Sequence, residues 1–351
     1  MKTYFYKPTD LTDTALQILE FENLTRRRFI IGAGALALGA CGAPGTSAPT
    51  ATVATTRTVV DLAGRSVDVP MNPQRIVVLD YGEINFHLVD LGIVPVGSTT
   101  DATTIGGNFP AQLGDARQTI QPVGDSSAPN LELVTKLQPD LIIHNKDFSD
   151  PGIDILSAIA PTVQFTAGAL GKDPTSRTRF VADVVNRSAQ GDEVITRWEA
   201  KLTKTTASIN AKGKTCVIAL LYGFEPTFEL LGSEYPTGYV AERLGFTIVP
   251  TEVDGKPLKA YSPPFSLEQL PTVMDADVVF FLRFPDEMAI GEKTSGPIVR
   301  TVTSSPVWQA IPAVKEGRVI ELDARFSRGD YGYVGLNATL DTIAQALARP
   351  R

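Results

Sequence analysis

The sequence predicts an α/β protein built of two related lobes joined by a long, stiff helix. Three observations carry that expectation. Continuous apolar runs of strand length alternate with segments of helical spacing, the pattern of buried parallel strands linked by helices. Two motifs of the first half recur in the second. Between the copies lies a polar stretch, free of proline after Pro174, whose apolar residues recur at helical intervals.

The 351 residues carry 32 Lys+Arg against 39 Asp+Glu, with 43% apolar and 20% charged residues. That length is enough for about two ordinary domains, and the composition is that of a globular chain, which speaks against disorder and against a polytopic membrane protein. An acidic balance, with a pI near 5.1, argues against nucleic acid as a partner. The histidines and cysteines stand apart, at Cys41, His87, His144 and Cys216. A centre needing three or four such ligands is therefore not expected, and no resident metal or cofactor is predicted.

In order along the chain, an export segment comes first. Arg26, Arg27 and Arg28 precede an apolar run that closes on Gly39 and Ala40 before Cys41. A cationic patch, a short apolar core and a small-residue cleavage site form a secretory signal, too short to span a bilayer. Thr25-Arg26-Arg27-Arg28-Phe29-Ile30 resembles a twin-arginine signal, and Leu38-Gly39-Ala40-Cys41 resembles a lipoprotein signal, by which Cys41 would become the lipidated mature N-terminus. Cys216, expected inside a strand, is then left without a disulfide partner. Residues 1–41 are assigned to the signal, and residues 42–57, rich in Pro, Gly, Ser and Thr, to a flexible tether that buries too little to offset its ordering entropy. The body is expected outside the cytoplasm, held near a membrane by its lipid, as a monomer.

Residues 58–173 form the expected N-terminal lobe. Val59-Val60-Asp61-Leu62 and Ser66-Val67-Asp68-Val69 alternate around Ala63-Gly64-Arg65, a short hairpin. Ile76-Val77-Val78-Leu79 is a buried strand. Residues 83–91 follow with helical spacing and end at Gly92, where a left-handed cap is wanted. Further strands are predicted at 94–96, 141–143 and 162–165. Residues 174–212 are the connector, with Gly191-Asp192 as a break and Asp192 as N-cap of a helix reaching Lys212, about 30 Å long. Residues 213–351 form the C-terminal lobe, with strands at 216–220, 278–281 and 318–321.

The duplication joins the lobes. Asn130-Leu131-Glu132-Leu133 leads to Pro139-Asp140-Leu141, and Ser266-Leu267-Glu268-Gln269 leads to Ala276-Asp277-Val278. In each, a polar N-cap opens a short helix with Glu in its first turn, and an Asp introduces a buried strand. Leu88-Val89-Asp90-Leu91-Gly92-Ile93 is echoed by Ala241-Glu242-Arg243-Leu244-Gly245-Phe246. Catalytic signatures are missing: no G-x-S-x-G elbow occurs, and Gly213-Lys214-Thr215 lacks the upstream Gly of a phosphate loop because Ser208 stands there. A binding protein is expected rather than an enzyme, with a secreted hydrolase as the remote alternative.

From about Thr58 to Leu347 the chain resembles the substrate-binding proteins of ATP-driven (ABC) importers for ferric siderophores, haem and cobalamin. The resemblance rests on Val60-Asp61-Leu62-Ala63-Gly64-Arg65-Ser66-Val67-Asp68-Val69-Pro70 with Asn72-Pro73-Gln74-Arg75-Ile76-Val77, on Leu131-Glu132 through Pro139-Asp140-Leu141-Ile142-Ile143, and on Trp308-Gln309-Ala310-Ile311-Pro312-Ala313-Val314-Lys315-Glu316-Gly317-Arg318-Val319. It implies two Rossmann-like lobes with the ligand cleft between them. It also implies that Glu132 and Glu268 lie on the lobe rims and meet basic residues of a transmembrane permease. The implied ligand is a ferric siderophore, with ferric citrate, haem or cobalamin as alternatives in the same role.

Ligands of open α/β sheets bind beyond the carboxyl ends of the strands. Those ends bring Tyr81, Thr100, Asn145, Tyr222, Phe224 and Arg283 to one cleft, and the late segment holding Arg325 and Tyr331 joins them. Aromatic faces and guanidinium forks suit a ferric chelate, whose periphery is apolar and whose oxygen donors are negative. His144 follows a strand and is the one candidate for haem; His87 reads as a packed histidine.

Overall fold

A computed structural model describes residues 55–100, 111–170, 173–221, 225–286, 289–290, 293–327 and 332–348. Strands β1 (Thr56–Val60) and β2 (Ser66–Pro70) pair antiparallel, with Thr56 opposite Pro70. Thr56 and Arg57, assigned above to the tether, therefore belong to the folded body. Asp61 fixes the turn: its buried carboxylate accepts the N–H groups of Ala63 at 3.0 Å and Arg65 at 2.8 Å, the Arg65 guanidinium at 2.6 Å, and the Gln164 N–H at 3.2 Å.

The N-terminal lobe is a six-stranded sheet of β3 (Ile76–Leu79), β4 (Gly97–Thr100), β5 (Gln121–Asp125), β6 (Ala128–Pro129), β7 (Leu141–Asn145) and β8 (Thr162–Phe165), in the order β6-β5-β4-β3-β7-β8. Its neighbours are parallel except β5 and β6. The strand expected at 94–96 lies instead at Gly97–Thr100, because Pro95 has no N–H for the ladder; Val96 N–H makes the first bond, to Ile76 O at 2.9 Å. Helices α1 (Glu83–Asp90), α2 (Leu131–Lys136) and α3 (Ile153–Ile159) cover the sheet. Ile76 and Val78 belong to one apolar cluster, Val77 and Leu79 to another, so the period of two feeds both faces.

Residues 174–212 hold two helices, and the break between them lies at Asn186 instead of at Gly191-Asp192. Helix α4 (Pro174–Val184) is capped by Asp173, which accepts the Thr175 N–H at 2.9 Å. Asn186 turns the chain at φ 57, and α5 (Ser188–Ser208) follows, beginning before Gly191 and ending short of Lys212. Gly191 is no break: a Cβ there would lie 2.7 Å from Ala182 Cβ, so the missing side chain lets the two helices approach. Asp192 is likewise no N-cap and stands 3.8 Å from Arg179. Phe180, Val181 and Val184 of α4 enter the N-terminal core, whereas Val194, Ile195, Trp198 and Leu202 of α5 enter the C-terminal core.

The C-terminal lobe repeats the plan with β9 (Thr215–Leu221), β10 (Thr227–Leu230), β11 (Thr247–Ile248), β12 (Phe265–Ser266), β13 (Val278–Arg283) and β14 (Val319–Asp323), ordered β12-β10-β9-β13-β14 with β11 on β9. The echoed motifs do the same work in both lobes. Asp140 accepts the N–H groups of Gln74 and Arg75 at 2.7 and 2.9 Å, at the head of β3. Asp277 accepts the Thr215 N–H at 2.8 Å and its hydroxyl at 3.0 Å, at the head of β9, and these bonds hold its carboxyl below the usual carboxylate range. Gly92 and Gly245 take φ 75 and 99, the left-handed caps that the echo requires. Cys216 is a free, buried cysteine in β9 whose thiol burial pushes up to about 12.

Helices α6 (Pro236–Leu244) and α7 (Gly332–Ala348) pack into the core of this lobe. Helix α7 also crosses to the N-terminal lobe: the Tyr333 N–H donates to Asp90 Oδ2 at 2.7 Å, so the last residue of α1 caps it. Gly332 is needed there, since a Cβ would lie 2.5 Å from that oxygen. Val334 packs on Phe86, Leu113 and Ile120, and Tyr333 lies against Trp198 of α5 with ring centroids 5.7 Å apart.

Candidate ligand cleft

At the carboxyl end of the first sheet a buried polar lattice fixes the chain. Asp80, 1% exposed, follows β3; its carboxylate accepts the Ile84 N–H at 3.0 Å and the Asn145 amide at 3.1 Å. Its backbone N–H donates to the Thr99 hydroxyl at 2.9 Å, which donates back to the Asp80 carbonyl at 2.6 Å. Asn145 belongs to this lattice. Its Nδ2 serves Asp80, its Oδ1 accepts the Asp147 N–H at 3.1 Å, and the side chain is buried, so it ties the end of β7 to the end of β3. Thr100 stands at the expected end of β4, nearly covered, with its carbonyl accepting the Ser126 N–H at 3.1 Å.

Above the lattice stands an aromatic platform. Tyr81 stacks on Phe148 with ring centroids 5.0 Å apart and planes 24° from parallel, and Phe148 is 38% exposed. Gly82, at φ 101, makes the tight turn from Tyr81 into α1. Glu83 in the first turn of α1 is ion-paired with Arg177 of α4. Tyr81 stands at the strand end where the sequence places it, and Phe148, in the loop after β7, was not singled out there.

In the second lobe Arg283 ends β13 as predicted, but its guanidinium is held by acidic neighbours. Nε donates to Glu321 at 2.8 Å and Nη1 to Asp286 at 2.9 Å. The expected strand end is therefore an ion-paired one, with the side chain still partly exposed. A second aromatic pair, also missed, forms at the start of α6: Tyr235 meets Tyr261 edge-on at 6.3 Å and 83°. The Thr237 hydroxyl donates to Ser327 O at 2.5 Å, which places this helix start against the segment that follows β14. Arg26, Arg27, Cys41, Tyr222, Phe224 and Tyr331 lie outside the described residues, as does the side chain of Arg325, whose backbone is in the short helix Ala324–Ser327.

His144 is sealed. Its Nε2 faces Ser149 O at 3.0 Å and therefore donates, while Nδ1 accepts from the Gln164 amide at 3.0 Å. Neither nitrogen is left for a haem iron, which corrects the haem expectation at this residue. Burial holds its pKa below the usual 6.5, against the opposing pull of the Ser149 carbonyl and Asp150. The unfolded chain thus binds the proton more readily, so stability from His144 is full above pH 6.5 and is lost as pH falls through the depressed folded value. Thermal unfolding should shift downward between pH 7 and 5, and a His144→Gln chain should lose that part of the slope; an unchanged slope would contradict the sealed neutral ring. Among the described residues no group of three or more His, Cys, Asp or Glu is arranged to hold a metal ion.

The two rim glutamates occupy matching places. Glu132 is exposed in the first turn of α2, whose N-cap Asn130 accepts the Leu133 N–H at 3.1 Å. Glu268 is exposed in the one-turn helix Leu267–Gln269, opened by a capping box between Ser266 and Gln269. Hydrogen bonds from the Ser266 side chain and from its own backbone hold the Glu268 carboxyl below its ordinary range. Asn130 N–H bonds Val123 O in β5, and Ser266 pairs with Thr227 beside the end of β9, so both carboxylates sit toward the carboxyl ends of their sheets.

Comparison with known proteins gives a consistent result. The profile of the family described as periplasmic binding protein matches residues 88–326. The probable siderophore-binding lipoprotein YfiY of Bacillus subtilis is 31% identical over 291 residues, covering 82% of this chain and 86% of that protein. The Fe(3+)-citrate-binding protein YfmC of the same organism is 28% identical over 268 residues, covering 76% of this chain and 78% of its own length. Among solved structures, Staphylococcus aureus SirA complexed with staphyloferrin B superposes with a TM-score of 0.66 at 24% identity, over 83% of this chain and 98% of that one.

Proposed function

We infer the role of this chain from its family, for it belongs to the periplasmic binding proteins. It is the extracytoplasmic binding protein of an ATP-driven importer, which captures a ferric siderophore and delivers it to a transmembrane permease. The observation that carries this reading is the 31% identity, along 82% of the chain, to the protein described as probable siderophore-binding lipoprotein YfiY. The Tyr81–Phe148 platform supports it, because stacked rings offer an apolar face to the organic periphery of a chelate. The iron is cargo inside its chelate, so the protein needs no ligand set of its own.

Export runs through the Arg26-Arg27 signal, and Cys41 carries the lipid that tethers the body through the stretch between it and β1. A Cys41→Ser chain should therefore leave the membrane fraction for the soluble extracytoplasmic fraction; retention in the membrane would remove the anchor from the account. Calorimetric titration of the mature chain with ferric hydroxamate, catecholate and citrate complexes, each with its iron-free chelator, tests the ligand. Saturable one-to-one binding to one ferric class is expected, and no binding across the panel would overturn the reading.

A further inference from the structure

The two echoed helix ends carry opposite charges at one position. Ala241-Glu242-Arg243-Leu244-Gly245-Phe246 has Arg243 where Leu88-Val89-Asp90-Leu91-Gly92-Ile93 has Asp90. Both stand in the last turn of their helix, where the dipole favours a cation and disfavours an anion. Arg243 obeys that rule and stays on its own lobe's side, donating to the Tyr239 hydroxyl at 2.8 Å and pairing with Glu199 of α5. Asp90 breaks it. Its carboxylate is unfavourable for α1 and serves the other lobe instead, where Oδ2 accepts the Tyr333 N–H in the first turn of α7 at 2.7 Å, the end of that helix that attracts an anion.

The contact is close and anchored on both sides. Gly332 has φ 55, and a Cβ there would lie 2.5 Å from Asp90 Oδ2 and 3.4 Å from the Phe86 carbonyl carbon, so α7 begins with its backbone against α1. Val334 packs beside Phe86, Leu113 and Ile120 of the N-terminal lobe, while Leu336, Leu340 and Ile343 lie in the C-terminal core. On its other flank Tyr333 meets Trp198 of α5, which stacks on Tyr239 at 5.8 Å. The lobes are thus joined twice, covalently through α4 and α5 and noncovalently through Asp90.

We propose that Asp90 is a positioning residue that ties α7 to the N-terminal lobe and thereby limits how far the cleft opens in the ligand-free chain. The proposal rests on the binding reading above and deepens it. A motion that separates α1 from the C-terminal core must break this bond or pull α7 out of that core. Without the tie the free chain populates wider arrangements, and apparent affinity falls in proportion to the fraction still competent to bind.

Pulsed electron paramagnetic resonance tests the tie. Spin labels go on Thr135→Cys and Thr272→Cys, exposed positions of the two lobes, in a Cys41→Ser chain whose remaining native cysteine is the buried Cys216. Asp90→Ala should roughly double the width of the inter-lobe distance distribution in the ligand-free chain, and saturating ferric chelate should return it to the wild-type width. Its calorimetric affinity for whichever ferric hydroxamate, catecholate or citrate complex the wild-type chain takes should fall about tenfold. Asp90→Asn keeps an oxygen for the Tyr333 N–H and should restore most of both. Gly332→Ala forces the pair apart with Asp90 in place; it should reproduce the broadening, and it carries the test if Asp90→Ala does not fold. Wild-type widths in the ligand-free Asp90→Ala or Gly332→Ala chain, even with lowered thermal stability, would overturn the tie and leave the bond a helix cap alone. These widths are read without chelate, so failure of the wild-type chain to bind any ferric complex would overturn the functional reading separately.

Discussion

An Asp80→Ala chain should lose about 3–5 kcal/mol of folding stability, since each buried donor left without its acceptor costs about 1–3 kcal/mol and hydrogen bonds to a charged group are the stronger kind. The substitution strands the Ile84 N–H and the Asn145 amide, both inside the lobe. It also frees Asn145 from β3, so Tyr81 loses the floor on which its turn is built. Asp80→Asn should cost less, because one oxygen remains for the Ile84 N–H, while its own amide would then face the Asn145 amide. Urea unfolding followed by circular dichroism measures both. A loss under about 0.5 kcal/mol for Asp80→Ala, the range of surface substitutions, would show that the lattice does not hold the cleft floor.

Tyr81→Ala and Phe148→Ala should each weaken ferric chelate binding about 10–100-fold, the equivalent of the roughly 1.5–3 kcal/mol that a fully used aromatic face contributes. Phe148 is already 38% exposed, so its removal should leave the unfolding midpoint nearly unchanged, separating a binding role from a packing one. Tyr81→Phe should keep most of the affinity if the ring face is what the ligand meets. Calorimetry on the three variants reads the outcome. Equal affinities throughout would mean that the chelate sits elsewhere in the cleft.

The strands with continuous apolar runs were legible in the sequence, because a strand buried on both faces leaves little freedom of composition; β3, β7, β9 and β13 are such strands. Strand β5 was not: Pro122 and Gly124 read as turn residues, and only its place beside β4 makes it a strand. The internal echo was legible and proved physical, with Asp140 and Asp277 each fastening the head of a neighbouring strand. Side-chain partners were the illegible part. Asn145 and Arg283 stand where expected, but their fates are set by Asp80 and Glu321, 65 and 38 residues away. Gly191 misled for the same reason, since its role is contact with Ala182 of another helix.

The most direct test is native mass spectrometry of the mature chain after incubation with spent medium from its own iron-starved cells, followed by release and analysis of whatever is retained. The account predicts one chelate and one iron per chain, and a released chelate chemically unchanged from the one in the medium. A chain that retains nothing, retains an iron-free molecule, or returns a cleaved product would contradict it.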